Sequence, residues 1–116
     1  MKCCYVDERR DFFSVLGEKL GEEYQLEAAE ADDRGRLTDC DAILVGLPGV
    51  EHARFPACLN ALKKIVSNVE AAPVVAMVSS ADRHGMRLAI AAGAYDCFVE
   101  AGSMEELRIV LRRKTA

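Results

Sequence analysis

Short apolar runs alternate with amphipathic stretches along this chain, and the alternation predicts its elements. Residues 2–6, KCCYV, form an apolar run closed by Asp7-Glu8 and read as a strand. Residues 9–20 follow, with Phe12, Phe13, Val15, Leu16 and Leu20 at helical spacing; this predicts a helix with one buried stripe, stopped by Gly21. Residues 24–29, YQLEAA, alternate enough for an edge strand. The polar DDRGRLTD after it is too short for a full helix and predicts a loop or a single turn. Cys40 to Gly49, CDAILVGLPG, is the stretch around which the rest is arranged. It predicts a buried strand over 41–45 that ends at Gly46 and a Gly/Pro turn.

The second half repeats the alternation. A helix is predicted from Pro56 to Val69, with proline in the first turn and Leu59, Leu62, Val66 and Val69 facing inward. Residues 74–78, VVAMV, are apolar throughout, as a strand covered on both faces must be, and Pro73 stands where it does least harm. Ser79 to Asp82 read as a loop and helix start, and that helix runs to Ala92 and closes at Gly93. Residues 97–99 form a fifth strand. Ser103-Met104-Glu105-Glu106 reads as a capping box before a last helix with Leu107, Val110 and Leu111 inside. Alternating strands and helices imply right-handed crossovers and an α/β, flavodoxin-like, doubly wound parallel sheet of five strands in the order 2-1-3-4-5, helix 2 short or missing. Residues 1–116 are expected to form a single domain. Its first strand begins almost at Met1, so nothing is expected before it, while a further domain could follow Lys114.

Composition narrows the function. Hydrophobic residues make up 51% and aromatics only 6%, so the core is aliphatic. A net charge of −4 argues against nucleic-acid binding, which needs a clustered basic face. Arg112-Arg113-Lys114 read as cations that complement a helix C-terminus. No apolar run approaches the ~20 residues that span a bilayer, and no signal peptide opens the chain. A cytoplasmic location is expected, with no membrane partner and with reduced thiols. The cysteines Cys3, Cys4, Cys40, Cys58 and Cys97 show no C-x-x-C and no metal-like spacing with His52 or His84. They read as small buried hydrophobes, and both histidines as solvated residues. Cys3 and Cys4 are adjacent in a strand, so they should face opposite ways.

In such a fold, chemistry gathers beyond the carboxyl ends of the strands. Four positions define that edge: Asp7-Glu8, Gly46, Val78-Ser79 and Glu100-Ala101. Together with Asp41-Ala42-Ile43-Leu44-Val45, with Pro73-Val74-Val75 and above all with Ala89-Ile90-Ala91-Ala92-Gly93-Ala94-Tyr95-Asp96, they give the chain its likeness to a known family. It resembles the response-regulator receiver domains of two-component signalling, as a degenerate pseudo-receiver. The resemblance implies an acidic pair that holds Mg²⁺, a phospho-acceptor aspartate, a hydroxyl, a lysine and a switch aromatic. Carried onto this chain, the pair survives as Asp7 and Glu8. The acceptor falls on Gly46. The hydroxyl falls on Val78, with Ser79 next to it; the lysine falls on Glu100, the following proline on Ala101, and the aromatic on Cys97.

Gly46 offers no nucleophilic carboxylate, and Glu100 would repel an acyl phosphate. Asp7 and Glu8 without a third carboxylate should bind Mg²⁺ only weakly. No cofactor and no catalysis are therefore expected. The expected function is a phosphorylation-independent protein-interaction domain. By the same resemblance, it would meet a signalling protein or a second copy through its fourth helix, fifth strand and fifth helix, with Arg83, Arg87, Asp96, Glu105, Arg108 and Arg112 exposed. Two alternatives remain open on the sequence: a receiver phosphorylated at a displaced carboxylate such as Asp7, and a small flavodoxin-like ligand-binding protein or enzyme. The second lacks a phosphate-cradling glycine motif and any Ser-His-Asp or Cys-His arrangement.

Overall fold

A computed structural model describes residues 1–7, 10–69, 72–78, 83–99 and 103–115. The assignments made to Glu8, Ser79, Glu100 and Ala101 lie outside the described residues, as do the side chains of Phe12 and Phe13. The elements in order are β1 (Lys2–Val6), α1 (Arg10–Leu20), β2 (Gln25–Ala28), α2 (Arg34–Thr38) and β3 (Ala42–Leu47), then α3 (Phe55–Asn68), β4 (Val74–Val78), α4 (Arg83–Ala91), β5 (Asp96–Val99) and α5 (Met104–Thr115). The strands form one parallel five-stranded sheet in the order β2-β1-β3-β4-β5. This is the predicted topology. Among the described residues no helix is long and apolar enough to cross a membrane.

Alternation along the central strands sorts the core into two layers. Cys4, Ile43, Val45, Leu47, Ala76 and Val78 face a layer closed by Leu37 of α2, by Leu62 and Ile65 of α3 and by Ala89 of α4. Cys3, Tyr5, Leu44, Val75 and Met77 face the other, closed by Leu16 and Leu20 of α1 and by Leu107 and Leu111 of α5. Cys3 and Cys4 therefore do face opposite ways. Both layers are mostly aliphatic, with Phe55 in the first and Tyr5, Tyr24 and Phe98 in the second, and β3 and β4 are buried along their whole length, because helices cover both faces of a parallel sheet.

Three local expectations change. First, β3 runs on to Leu47, because Gly46 and Leu47 continue the ladder opposite Met77 and Val78. Gly46 thus lies within the strand rather than just past it. Second, the expectation of a short or missing helix after β2 narrows to a short helix, five residues long. Asp33 accepts a hydrogen bond from the Arg36 amide at its start, the Thr38 hydroxyl donates to the Arg34 carbonyl, and Leu37 anchors it to the sheet. Third, Val15 is 43% exposed, since the buried stripe of α1 runs through Leu16 and Leu20 and leaves Val15 on its flank. At the start of α5 the Ser103 hydroxyl accepts from the Glu105 amide, and the Ser103 carbonyl from the amides of Glu106 and Leu107. The predicted N-cap is present, one residue tighter than a capping box.

The expectation that all five cysteines stay reduced is also corrected. Cys4 and Cys40 form a disulfide, with Cα atoms 6.1 Å apart and a sequence separation of 36. Cys3, Cys58 and Cys97 take no part in a disulfide.

Candidate functional site

The carboxyl edge of the sheet carries a cleft of about 350 Å³ between β1 and β3. Val6, Asp7, Val45 and Gly46 form its floor; Glu30 and Ala31, after β2, form one wall, and Arg54 and Cys58, at the start of α3, form the other. This is the switch point of the sheet, where strand order reverses and two loops part. Sequence reasoning located Asp7 and Gly46 there but missed Glu30, Arg54 and Cys58. The apolar pattern around them signals only loop and helix start.

The floor of the cleft is unusual. A methyl group built on Gly46 would overlap the carboxylate of Asp7, whose own Cβ stands 3.0 Å from that point. The Asp7 side chain therefore occupies the space a side chain at position 46 would need. It is held from below: the Tyr5 hydroxyl donates to Asp7 Oδ2 at 2.7 Å, and Tyr5 itself is buried. Asp7 directly follows β1, two residues after Tyr5, so the two project to the same side. That spacing is the signal by which the pair could have been found.

These residues do not fit the Mg²⁺ that the resemblance implies. A hard dication needs converging oxygen ligands, and Gly46 supplies none where a third carboxylate would stand. Among the described residues the one trio of metal-ligating side chains in mutual reach is Cys4, Glu27 and Cys40, at the far side of β1.

The other predicted positions separate into groups. Val78 is buried at the end of β4, and Cys97 sits at the head of β5 beneath α4, where its thiol donates to the Met86 carbonyl at 3.7 Å. Burial pushes the Cys97 thiol up to about 11, and neighbouring Asp96 adds to the effect. Burial does the same to Cys3, also to about 11. In both cases the folded chain favours the neutral thiol, whereas the unfolded chain releases the proton from about pH 9. The stabilisation is thus complete below that pH and is lost as pH rises through the folded value. The expected result is a melting temperature that falls between pH 9 and 11, and falls less steeply in Cys97→Ser, measured by calorimetry across that range.

The six surface residues form two patches rather than one. Arg87 and Asp96 line a shallow groove of about 430 Å³ with Met86, Ile90, Ala91 and Cys97, and Arg83 stands exposed at the start of the same helix. Ile90 is 48% exposed and Tyr95 39%. Glu105, Arg108 and Arg112 gather instead where α5 meets the end of α1. There Arg108 Nη2 donates to the Lys19 carbonyl at 2.5 Å, and Nε donates to the Leu20 carbonyl at 3.4 Å. These are the carbonyls that α1 leaves without helical partners. Arg108 also pairs with Glu105 at 3.3 Å, and Arg112 approaches Glu105 at 3.9 Å. That cluster closes a helix end, and only Arg83, Arg87 and Asp96 belong to α4 and β5.

No family model matches the sequence, and no curated protein does. Solved structures do. A CheY-like protein, tadZ, of Pseudomonas aeruginosa superposes with a TM-score of 0.79 at 19% identity, covering 100% of this chain and 94% of that one. A response regulator of Thermotoga maritima gives 0.79 at 18% identity, over 98% of this chain and 96% of that one. The chain has the receiver fold. NtrX of Brucella abortus matches with a TM-score of 0.77 at 20% identity over 98% of this chain, but this chain spans only 26% of NtrX. The receiver fold thus accounts for every element from β1 to α5, and it puts the Asp7–Gly46 floor at the fold's C-terminal sheet edge.

Proposed function

We propose that this receiver-fold domain is a non-enzymatic signalling module that takes no phosphoryl group on β3 and works by docking a protein. The observation that carries the reading is the Asp7 carboxylate seated in the space above Gly46. A phosphoryl acceptor must be a carboxylate free to attack in line. Here the central strand offers backbone alone, and the nearest carboxylate accepts the Tyr5 hydroxyl.

The proposed docking face is the α4–β5 groove, and the proposed occupant is a second copy of this chain. The groove pairs the exposed apolar side chain of Ile90 with a cation and an anion, Arg87 and Asp96, and exposed Tyr95 precedes Asp96 in the chain. In a two-fold dimer the same patch meets itself, so Arg87 of each copy can face Asp96 of the other. Glu105, Arg108 and Arg112 have no part in this face: Arg108 is engaged with the α1 carbonyls, and Glu105 pairs with both arginines.

Two measurements test the reading. Incubation with acetyl phosphate and Mg²⁺, followed by intact-mass analysis, should show no stable gain of a phosphoryl group. A gain that disappears in Asp7→Asn would replace this reading with the displaced-acceptor one. Sedimentation should show a concentration-dependent dimer, weakened roughly tenfold by Arg87→Glu and recovered in Arg87→Glu/Asp96→Arg. A monomer at all concentrations would leave the groove to a different protein and remove the self-docking proposal.

A further inference from the structure

On the face of β1 turned away from the Asp7–Tyr5 pair, Cys4 lies buried in mid-strand. Its partner Cys40 lies just before β3, at the exit of α2. Between them the chain makes α1, β2 and α2. We infer that Cys4 and Cys40 are a reversible dithiol–disulfide site whose oxidation fixes the β2–α2 wall of the cleft.

Four observations converge on this. The Cα separation of 6.1 Å lies within the range a disulfide spans without backbone movement, so the fold presents the two thiols ready to join. Both sulfurs stand over one acceptor, the Arg36 carbonyl, at 3.5 Å from Cys4 and 3.2 Å from Cys40; in the reduced form a thiol can donate there. The neighbouring Cys3 belongs to the opposite layer of the sheet, so its sulfur faces away and cannot join the pair. Finally, the helix over the site is only five residues long, with Leu37 as its one buried side chain, so it can lift to admit a small reagent.

Glu27 lies opposite Cys4 on β2 and completes a possible trio of metal ligands. Its carboxylate, however, faces the Lys2 ammonium at 3.2 Å, and the two sulfurs are bonded to each other. Lys2 also pairs with Asp39 at 3.0 Å, so one ammonium already engages both carboxylates at this corner. The geometry favours the covalent link over a bound ion.

The step uses a low-molecular-weight disulfide as oxidant. One thiolate attacks it and releases a small thiolate, leaving a mixed disulfide on the protein. The second thiolate then attacks the protein sulfur and expels the other small thiolate. The protein loses two electrons and two protons, and the small disulfide becomes two thiols. In the oxidised form, β1 and the entry to β3 are tied across α2. Glu30 and Ala31, which lie inside the closed loop, then hold their place in the cleft wall. In the reduced form that wall has no covalent tie and is held by Leu37, the caps of α2, the Arg36 guanidinium on the Ala28 carbonyl and the Ala29 amide on the Tyr5 carbonyl.

The test equilibrates the full chain for hours in mixtures of a small thiol and its disulfide, followed by intact mass, peptide mapping and hydrogen exchange. The expected result is loss of two hydrogens at a Cys4–Cys40 link, abolished in Cys40→Ser and in Cys4→Ala but kept in Cys58→Ser. Amide exchange over residues 28–41 should slow on oxidation, and the melting temperature should rise by on the order of 10 °C. Cross-links at other cysteines, or a link with unchanged exchange over residues 28–41, would overturn the inference. So would reduced protein that retains added Zn²⁺ stoichiometrically and then resists oxidation, which would make the trio a metal site instead.

Discussion

Gly93→Ala should lower the unfolding free energy by about 3 kcal/mol, a large fraction of the stability of a domain this size. Two independent costs add. Gly93 has a φ of +109°, where a Cβ is strained in any surroundings. A Cβ there would also stand 2.6 Å from Cγ1 of Val66 on α3. The residue cannot move aside, because it makes the turn that ends α4. Its amide bonds the Ile90 carbonyl at 2.9 Å, and the Ala94 amide reaches back to Ala89 at 3.1 Å, which is the Schellman pattern. Ala89 and Ala94 are both buried, so the turn is packed as well as bonded. Gly21 provides the control. Its φ is +89°, but nothing lies within 4 Å of an added Cβ, so Gly21→Ala should carry the backbone cost alone. Urea titrations of both variants separate the two costs. Val66→Ala in the Gly93→Ala background should return part of the loss. Equal effects at Gly21 and Gly93 would show that α3 and α4 do not pack as closely as described.

The fold was legible because its signals are local. VVAMV can only be a strand covered on both sides, and it is one from the first residue to the last. Gly21 and Gly93 were read as helix stops, and both take the positive φ that such stops need. The end of β3 was misread by two residues because glycine and proline suggest a turn, whereas the ladder with β4 continues through Gly46 and Leu47. Long-range features were not legible. Nothing in the spacing of Cys4 and Cys40 reveals that α1, β2 and α2 fold back to bring them together. Arg108 looked like a free surface cation, since its partners, the carbonyls of Lys19 and Leu20, are almost ninety positions earlier in the chain. That position 46 carries no side chain could be read directly. That Asp7 fills the space above Gly46 could not, because it depends on where Tyr5 holds it.

This last point leads to the second large effect. Gly46→Asp should fail to make the domain a phosphoryl acceptor and should instead destabilise it by about 2–5 kcal/mol. The new side chain would begin in the volume held by the Asp7 carboxylate. Forcing it in costs about 1–3 kcal/mol as overpacking, which Gly46→Ala should show alone. The charge adds to this: two carboxylates about 4 Å apart repel by about 4 kcal/mol at the effective dielectric of a protein surface, before either one moves or protonates. Repulsion raises the folded pKa of the pair, so its cost is small in acid and grows as pH rises through the carboxylate range. Gly46→Asp should therefore lose more stability at pH 8 than at pH 4, and Gly46→Ala should not show that dependence. Asp7→Ala combined with Gly46→Asp should recover most of the loss, because it removes both the overlap and the like charge. A double-mutant cycle in urea reads the coupling directly. If Gly46→Asp were as stable as the parent and gained a phosphoryl group from acetyl phosphate and Mg²⁺, the edge of β3 would be an intact receiver site lacking one side chain. The cleft would then have been open all along, and Asp7 would be a magnesium ligand rather than the group that closes it.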